Sequence, residues 1–397
     1  MIFNYVREPT LGNLMPYRDA FKYLERGMKC VGWILPERGF RYYWLYLCWM
    51  ALVLTVTNIY LPIVSTLGYV IYFEPSAFLS KLQSYFNLIT LYYKTAVILT
   101  NMWRFQKVKE LFDLMDKRCV TNVERIEVHR CVARCNWVYL INLFLYTAFA
   151  ILSYLSAVHR GFTPWGFYMP FVDYRESTRN LWIAATFEYF VGSCAVYADL
   201  MIDTYPLMFG LILRSQLQLL IKRVHKLRTI PDKTDNENYD DLVKCIKDHK
   251  LVLQYCDLFR PIISRTFFAR LLVIGLGLGL SMINLMFFTT FWTGLPTFIF
   301  IVILVIQSSP FCYVCELIKD ECYNLTLAIF YTNYVDAGRR YNSTLIYFLY
   351  QSQQAINFTA GGIFPISMQT NISFTRFAFT VVTIFKEMGI IEKLGVK

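Results

Sequence analysis

Three carboxylates inside one apolar stretch are the residues best placed to do chemistry. Glu188, Asp199 and Asp203 are separated by eleven and four positions, which puts them within about 60° on one helical face. An ionised carboxylate is costly in a bilayer, so that face must turn to protein or to water. It either lines a vestibule attractive to cations or anchors helices to one another. The simpler expectation is that Asp199 and Asp203 lie beyond the hydrocarbon, on a helix that projects from it. A second group is the polar run Thr359, Ser367, Gln369, Thr370, Asn371, Ser373, Thr375 and Thr380 in the last apolar segment. Such residues line water or hydrogen-bond across helices. Among them Ile366, Met368, Ile372 and Phe374 have the composition of a hydrophobic constriction that gates by dewetting, with plain interhelical packing as the alternative.

Enzyme chemistry is not expected. The sequence has no phosphate-cradling glycine loop, no HExxH and no GxSxG, and its four histidines are scattered. His129, His225 and His249 fall in charged segments and His159 in a loop, all expected at the surface. Cys312 and Cys315 have CxxC spacing, but no second pair or histidine stands at zinc-site distance, so no metal and no cofactor is expected. Cys131 and Cys135, at helical spacing, read as packing.

The elements that carry these residues are membrane spans. Of the 397 residues 56% are hydrophobic and 17% charged, and uncharged stretches recur along the chain. About 20 apolar residues cross the hydrocarbon as a helix. Seven spans follow: residues 43–70, 77–102, 135–157, 182–208, 267–291, 295–316 and 359–385. Thr293-Gly294-Leu295-Pro296 supplies the turn between the fifth and sixth, and the last segment is broken near Thr359-Ala360-Gly361-Gly362. Lys and Arg fall roughly thirty on one side against six on the other, which places the N-terminus in the cytoplasm and the C-terminus outside. The net charge of +11 is therefore a topology signal rather than a nucleic-acid footprint.

The expected fold class is an all-α membrane protein with seven transmembrane helices and a cytoplasmic helical anchor region. Its parts are a cytoplasmic segment 1–42, a six-helix ligand-binding region 43–316 with cytoplasmic loops 103–134 and 209–266, an anchor helix 317–358, a pore-lining helix 359–385 and an extracellular tail 386–397. The first span directs insertion, since no cleavable signal peptide is visible. Thr229–Asp241 reads as the one flexible stretch, flanked by helices that continue spans four and five. Sequons at Asn324, Asn342, Asn357 and Asn371 fall on the inner side or within the last span, where glycosylation is not expected.

Aromatic residues make up 18% of the chain. Tyr85, Phe86, Tyr146, Phe149, Tyr154, Phe187, Phe190 and Tyr197 fall in the outer halves of spans two to four. A buried apolar pocket there would select small hydrophobic ligands by shape, although ordinary packing accounts for any one of them.

The run from Pro310 to Met388 resembles the insect odorant receptors. It contains Pro310-Phe311-Cys312, Phe330-Tyr331-Thr332-Asn333, Arg339-Arg340-Tyr341, Ser352-Gln353-Gln354 and Phe358-Thr359-Ala360-Gly361-Gly362-Ile363-Phe364-Pro365-Ile366-Ser367. Tyr334 stands where the family often has Trp, and Ala355 where it often has Pro. The related gustatory receptors usually close with Thr-Tyr and Gln-Phe pairs; Thr380-Val381 and Phe385-Lys386 near those places favour the odorant branch.

The resemblance implies a subunit of a ligand-gated, non-selective cation channel, passing monovalent and divalent cations in the plasma membrane of olfactory neuron dendrites. It implies small volatile odorants as ligands and an olfactory co-receptor as partner, in a heterotetramer. It places the anchor and assembly contacts in the segment of Arg339, Arg340, Tyr341, Gln353 and Gln354, the pore on the last span, which carries Gln369, Thr370, Ile372, Ser373 and Phe374, and the odorant site in the outer half among spans two to six, where the eight aromatics are chosen by position and not by motif. Arg376 sits awkwardly in a cation pore, where a basic ring opposes conduction. A G-protein-coupled chemoreceptor is the rival. Against it stand the charge bias, the lack of Asp-Arg-Tyr after span three and the lack of Asn-Pro-x-x-Tyr in span seven. A transporter would show internal repeats, and none is seen.

Overall fold

In the computed structural model, residues 5–9, 12–36, 39, 41–71, 78–159, 161–170, 172–287 and 291–387 are described. Helices dominate them. A 3-10 turn, Tyr17–Phe21, leads into α1 (Lys22–Cys30). The first span is α2 (Tyr43–Thr55), a π-helical turn Val56–Tyr60 and α3 (Leu61–Ile71). In that turn Thr57 donates to the Val53 carbonyl at 2.8 Å and Asn58 to the Leu54 carbonyl at 3.0 Å, side chains competing with the helix ladder just before Pro62 breaks it.

The following helices are α4 (Phe78–Thr100), α5 (Met102–Arg118), α6 (Asn122–His159), α7 (Thr178–His225), α8 (Asp235–Phe287), α9 (Phe291–Phe330) and α10 (Arg339–Ser352). A two-stranded hairpin, β1 (Thr359–Ala360) and β2 (Phe364–Pro365), then precedes α11 (Met368–Glu387).

Helix length explains the architecture. At 1.5 Å per residue the 48-residue α7 and 53-residue α8 run roughly 70–80 Å, far more than a ~30 Å hydrocarbon core. Their surplus turns, with those of α6 and α9, gather at the basic end of the bundle. There they enclose an aromatic core in which Phe209 lies 4.7 Å from Tyr255 and 4.8 Å from Phe259, and Phe105 lies 5.1 Å from Phe259. Such ring pairs add about 0.5–1.5 kcal/mol each beyond their burial.

Several expectations need correction. Thr229–Asp241 is not one loose stretch, because α8 begins at Asp235. Thr234 and Glu237 form a reciprocal capping box: the Thr234 amide donates to the Glu237 carboxylate at 2.9 Å, and the Glu237 amide to the Thr234 hydroxyl at 3.3 Å. Thr293–Pro296 is helical within α9, and residues 288–290 between α8 and α9 lie outside the described residues. The last helix starts at Met368 rather than Thr359, because Gly361 and Gly362 at φ +62° and +75° turn the chain back on itself. Segment 317–358 is not one helix, since α9 runs on to Phe330 and α10 follows a turn. Of the tail 386–397, residues 388–397 lie outside the described residues.

His129 and His249 are buried, not superficial. The Met15 amide donates to His129 Nδ1 at 3.0 Å, so Nε2 carries the proton and donates to the Arg7 carbonyl at 2.9 Å. The histidine thereby ties the N-terminal segment to α6.

Candidate functional site

At the centre of the bundle the acids of α7 meet partners from three other helices. Lys94 of α4 bonds Asp199 at 2.5 Å and stands 3.6 Å from Asp203. Arg270 of α8 makes a two-nitrogen pair with Asp203 and donates to Gln307 of α9 at 2.9 Å. Tyr146 of α6 donates to Asp203 at 2.5 Å and also contacts Gln307. The side chains of Lys94, Asp203 and Arg270 are 8%, 6% and 12% exposed, so this is an internal node of two cations and two anions. Asp203 is thus enclosed by protein, while Asp199, its side chain 30% exposed, lies at the edge of the node; both acids are paired across helices. The partners supplied by other helices make burial affordable.

Lys94, Arg270 and Gln307 were missed by the sequence reading. A signal was present: Lys94 and Arg270 are two of only four basic residues inside the expected spans, the others being Lys81 and Arg376, and they are opposite in sign to the acids. Glu188 stands apart, about three turns away along α7. It is fully buried and accepts the Trp165 and Phe167 amides, each at 2.9 Å, while the Tyr168 amide donates to the Val64 carbonyl at 3.0 Å. These bonds fold the connection between α6 and α7 over the end of the bundle.

The node reaches α11 within one residue. Next to Gln307, Ser308 lies 3.1 Å from the Asn371 side-chain oxygen, and Asn371 donates to Ser309 at 3.3 Å. The foot of α11 is capped twice, by Ser367 bonding the Thr370 amide at 3.1 Å and by Glu316 accepting the Met368 amide at 3.0 Å.

Burial along α11 alternates with helical period. Asn371, Ala378 and Val382 are buried against α8 and α9, while Gln369, Ser373, Arg376, Thr380 and Thr383 form a polar stripe down the exposed face. Ile372 flanks that stripe at 48% exposure. Phe374 does not share its face: its ring packs on Phe364, 5.3 Å away, and fits against α8 only because residue 275 is a glycine. Thr370 is half-buried, its hydroxyl donating to the Pro365 carbonyl at 2.6 Å.

The eight outer aromatics do not converge. Tyr146 belongs to the charged node. Tyr85 bonds Thr66 at 3.2 Å and stacks on Tyr69; Tyr197 bonds Thr147 at 3.3 Å; Tyr154 bonds Thr186 at 3.1 Å. Phe149 is half-buried. Phe86, Phe187 and Phe190 face outward, Phe190 at 67% exposure.

In the basic half, Arg340 sits 4.0 Å over the Tyr239 ring and Arg228 5.5 Å over buried Tyr341. Arg339, Gln353 and Gln354 are exposed. Tyr331 and Val335 in the turn after α9, and Ile346, Tyr347 and Tyr350 on α10, are exposed apolar and aromatic side chains, from 63% to 79%.

Four helices among the described residues are long and apolar enough to cross a membrane by length and composition, and α4, α9 and α11 complete the seven expected spans. The fold is that of an all-helical, multi-pass membrane protein. The family model described as 7tm Odorant receptor matches residues 74–379. Odorant receptor 42b of Drosophila melanogaster is 43% identical over 99% of both chains, and Odorant receptor 98a of the same organism 45% identical over 99% of both. Among solved structures the fold is similar to that of the insect olfactory receptor OR5 from Machilis hrabei in complex with eugenol. The TM-score is 0.74 at 14% identity, covering 94% of this chain and 99% of that one. The chain belongs to the 7tm odorant receptor family.

Proposed function

We propose that this chain is an odorant-tuning subunit of a ligand-gated, non-selective cation channel, working in a heteromer with an olfactory co-receptor in the plasma membrane of sensory dendrites. The observation that carries it is the α11 stripe of Gln369, Ser373, Arg376, Thr380 and Thr383, which turns away from its own chain. A lone lipid-facing helix gains nothing from five polar side chains in line, whereas copies around an axis enclose a hydrated path. The exposed side chains of Tyr331, Val335, Ile346, Tyr347 and Tyr350 support assembly, being apolar and aromatic in the half that meets water. On this reading the basic half is cytoplasmic and Gln353, Gln354 and Arg339 lie at the rim of the subunit contact.

Odorants would bind towards the opposite end and favour the open state of a closed–open equilibrium. The path from there to the pore runs through the Asp203–Arg270–Gln307 node and the Ser308–Asn371 contact. Arg376 faces the lumen, and a mixed assembly lowers the number of such cations in the ring.

The test is odour-evoked current in cells expressing the chain with a co-receptor. Replacing Gln369 and Ser373 by Leu should abolish evoked current at normal surface expression; undiminished current would remove α11 from the conduction path. An N-terminal epitope should label only after permeabilisation. Labelling on intact cells would overturn the orientation and restore the G-protein-coupled alternative.

A further inference from the structure

The exposed face of α6 changes character along its length. From one end it reads Arg130, Arg134, Trp137, Ile141, Phe144, Leu145, Leu152 and Leu155, all exposed. Charge gives way to an indole and then to apolar side chains only, which is the order from headgroups to hydrocarbon. The arginines thus stand one to two turns on the polar side of the interfacial Trp137. Neither makes a hydrogen bond or ion pair among the described residues.

Both arginines border a cavity of about 180 Å³ between α6 and α7, completed by Arg214, Ser215, Gln218 and Lys222. A single water needs roughly 10–15 Å³ on that measure, so a group of several non-hydrogen atoms fits. Two of the four cations are partly committed. Arg214 and Gln218 hold Glu321 at 3.2 and 2.6 Å, and Lys222 pairs with Glu127, which also borders the cavity. Arg130 and Arg134 remain as unpaired charge at the mouth, whereas the Gln218 amide is held by Glu321 and the Ser215 hydroxyl lies 3.1 Å from the Tyr17 hydroxyl. With Glu127 and Glu321 set against the four cations, a surplus of two positive charges remains, that of Arg130 and Arg134.

We propose that this cavity binds the phosphorylated headgroup of an anionic inner-leaflet lipid, of the multiply phosphorylated inositol class. Arginine grips phosphate with two parallel donors, and two uncommitted arginines one turn apart suit a headgroup with more than one phosphate. Basic pockets beside spans on the cytoplasmic side are where such headgroups are held. The apolar face beyond Trp137 offers the acyl chains a continuous path along α6. The assignment to the inner leaflet rests on the orientation proposed above.

The experiment uses the full-length protein in detergent with dye-labelled dioctanoyl phosphatidylinositol bisphosphate. Saturable binding is expected, weakened roughly 10- to 30-fold in R130Q/R134Q. It should be unchanged in K247Q/K250Q, which removes the same charge from exposed lysines of α8. Both arginines are exposed and unbonded, so the double variant should keep its melting temperature. Equal affinity in the wild type and R130Q/R134Q would overturn the site. Competition by free inositol trisphosphate as strong as by the lipid would assign the cavity to a soluble phosphate instead. Competition by dioctanoyl phosphatidylcholine at equal strength would overturn the role of charge. Detergent has no sides, so failure here is distinguishable from a failure of orientation in the epitope experiment.

Discussion

The peripheral and central helices of this bundle solve different problems with similar sequences. In the most apolar stretches of the first span and of α6, 22% and 17% of residues are buried, against 67% and 61% in α7 and α8. The former spend their hydrophobicity on lipid, and the latter on each other and on the aromatic core. A helix that faces lipid gains little from packing, because lipid tails are as apolar as its neighbours. The difference predicts a stiff central column surrounded by loosely held helices, with ligand-driven rearrangement drawn from the periphery.

The largest test of that contrast is Asp203→Asn. It leaves Lys94 and Arg270 without their shared anion, and breaking a buried pair from one side costs roughly 3–5 kcal/mol. Surface expression should collapse, with recovery in the double variant Asp203→Leu, Arg270→Met. A normal melting temperature for the single variant would mean that the node is hydrated and the column not stiff. Next comes Phe259→Ala in the aromatic core, expected to cost about 3 kcal/mol.

A third prediction concerns pH. Burial beside Phe348 holds the His249 imidazole neutral, its pKa pushed down to about 4. The unfolded chain, near 6.5, takes up its proton first as pH falls, so this contribution is complete above about 6.5 and lost between there and about 4. Melting in detergent should show a loss of about 2 kcal/mol between pH 7 and 5, absent in His249→Phe. An equal loss in both would place the acid sensitivity elsewhere. The smallest effect belongs to Phe190→Ala on the periphery, within roughly 0.5 kcal/mol. A loss as large as that of Phe259→Ala would erase the contrast.

Helix positions were legible in part because hydropathy is a local signal, and the extra length of α7 and α8 showed in their amphipathic flanks. The node was not, since Lys94 meets Asp199 across 105 positions and Arg270 meets Asp203 across 67. Pairing across helices is set by packing, to which a single helical stretch is blind. The α11 polar run was visible, but its two faces were merged. Asn371 and Phe374 serve the inside, whereas Gln369 and Ser373 serve the outside. Periodicity alone would have separated Phe374 from Gln369 by about 140°.

The hairpin before α11 has a mechanical consequence. Its Gly361 amide bonds the Ser264 carbonyl at 2.9 Å, and a Cβ there would meet the Phe268 ring at 2.8 Å, so the foot of α11 is bolted to α8. A rod fixed at one end is a lever with its fulcrum there. Over a helix roughly 30 Å long, a swing of about 10° carries the far end roughly 5 Å but the first turn only about 1 Å. Thr380 and Thr383 therefore sweep the long arc, and Ile372, one turn from the pivot, is displaced appreciably only when the rod turns about its own axis.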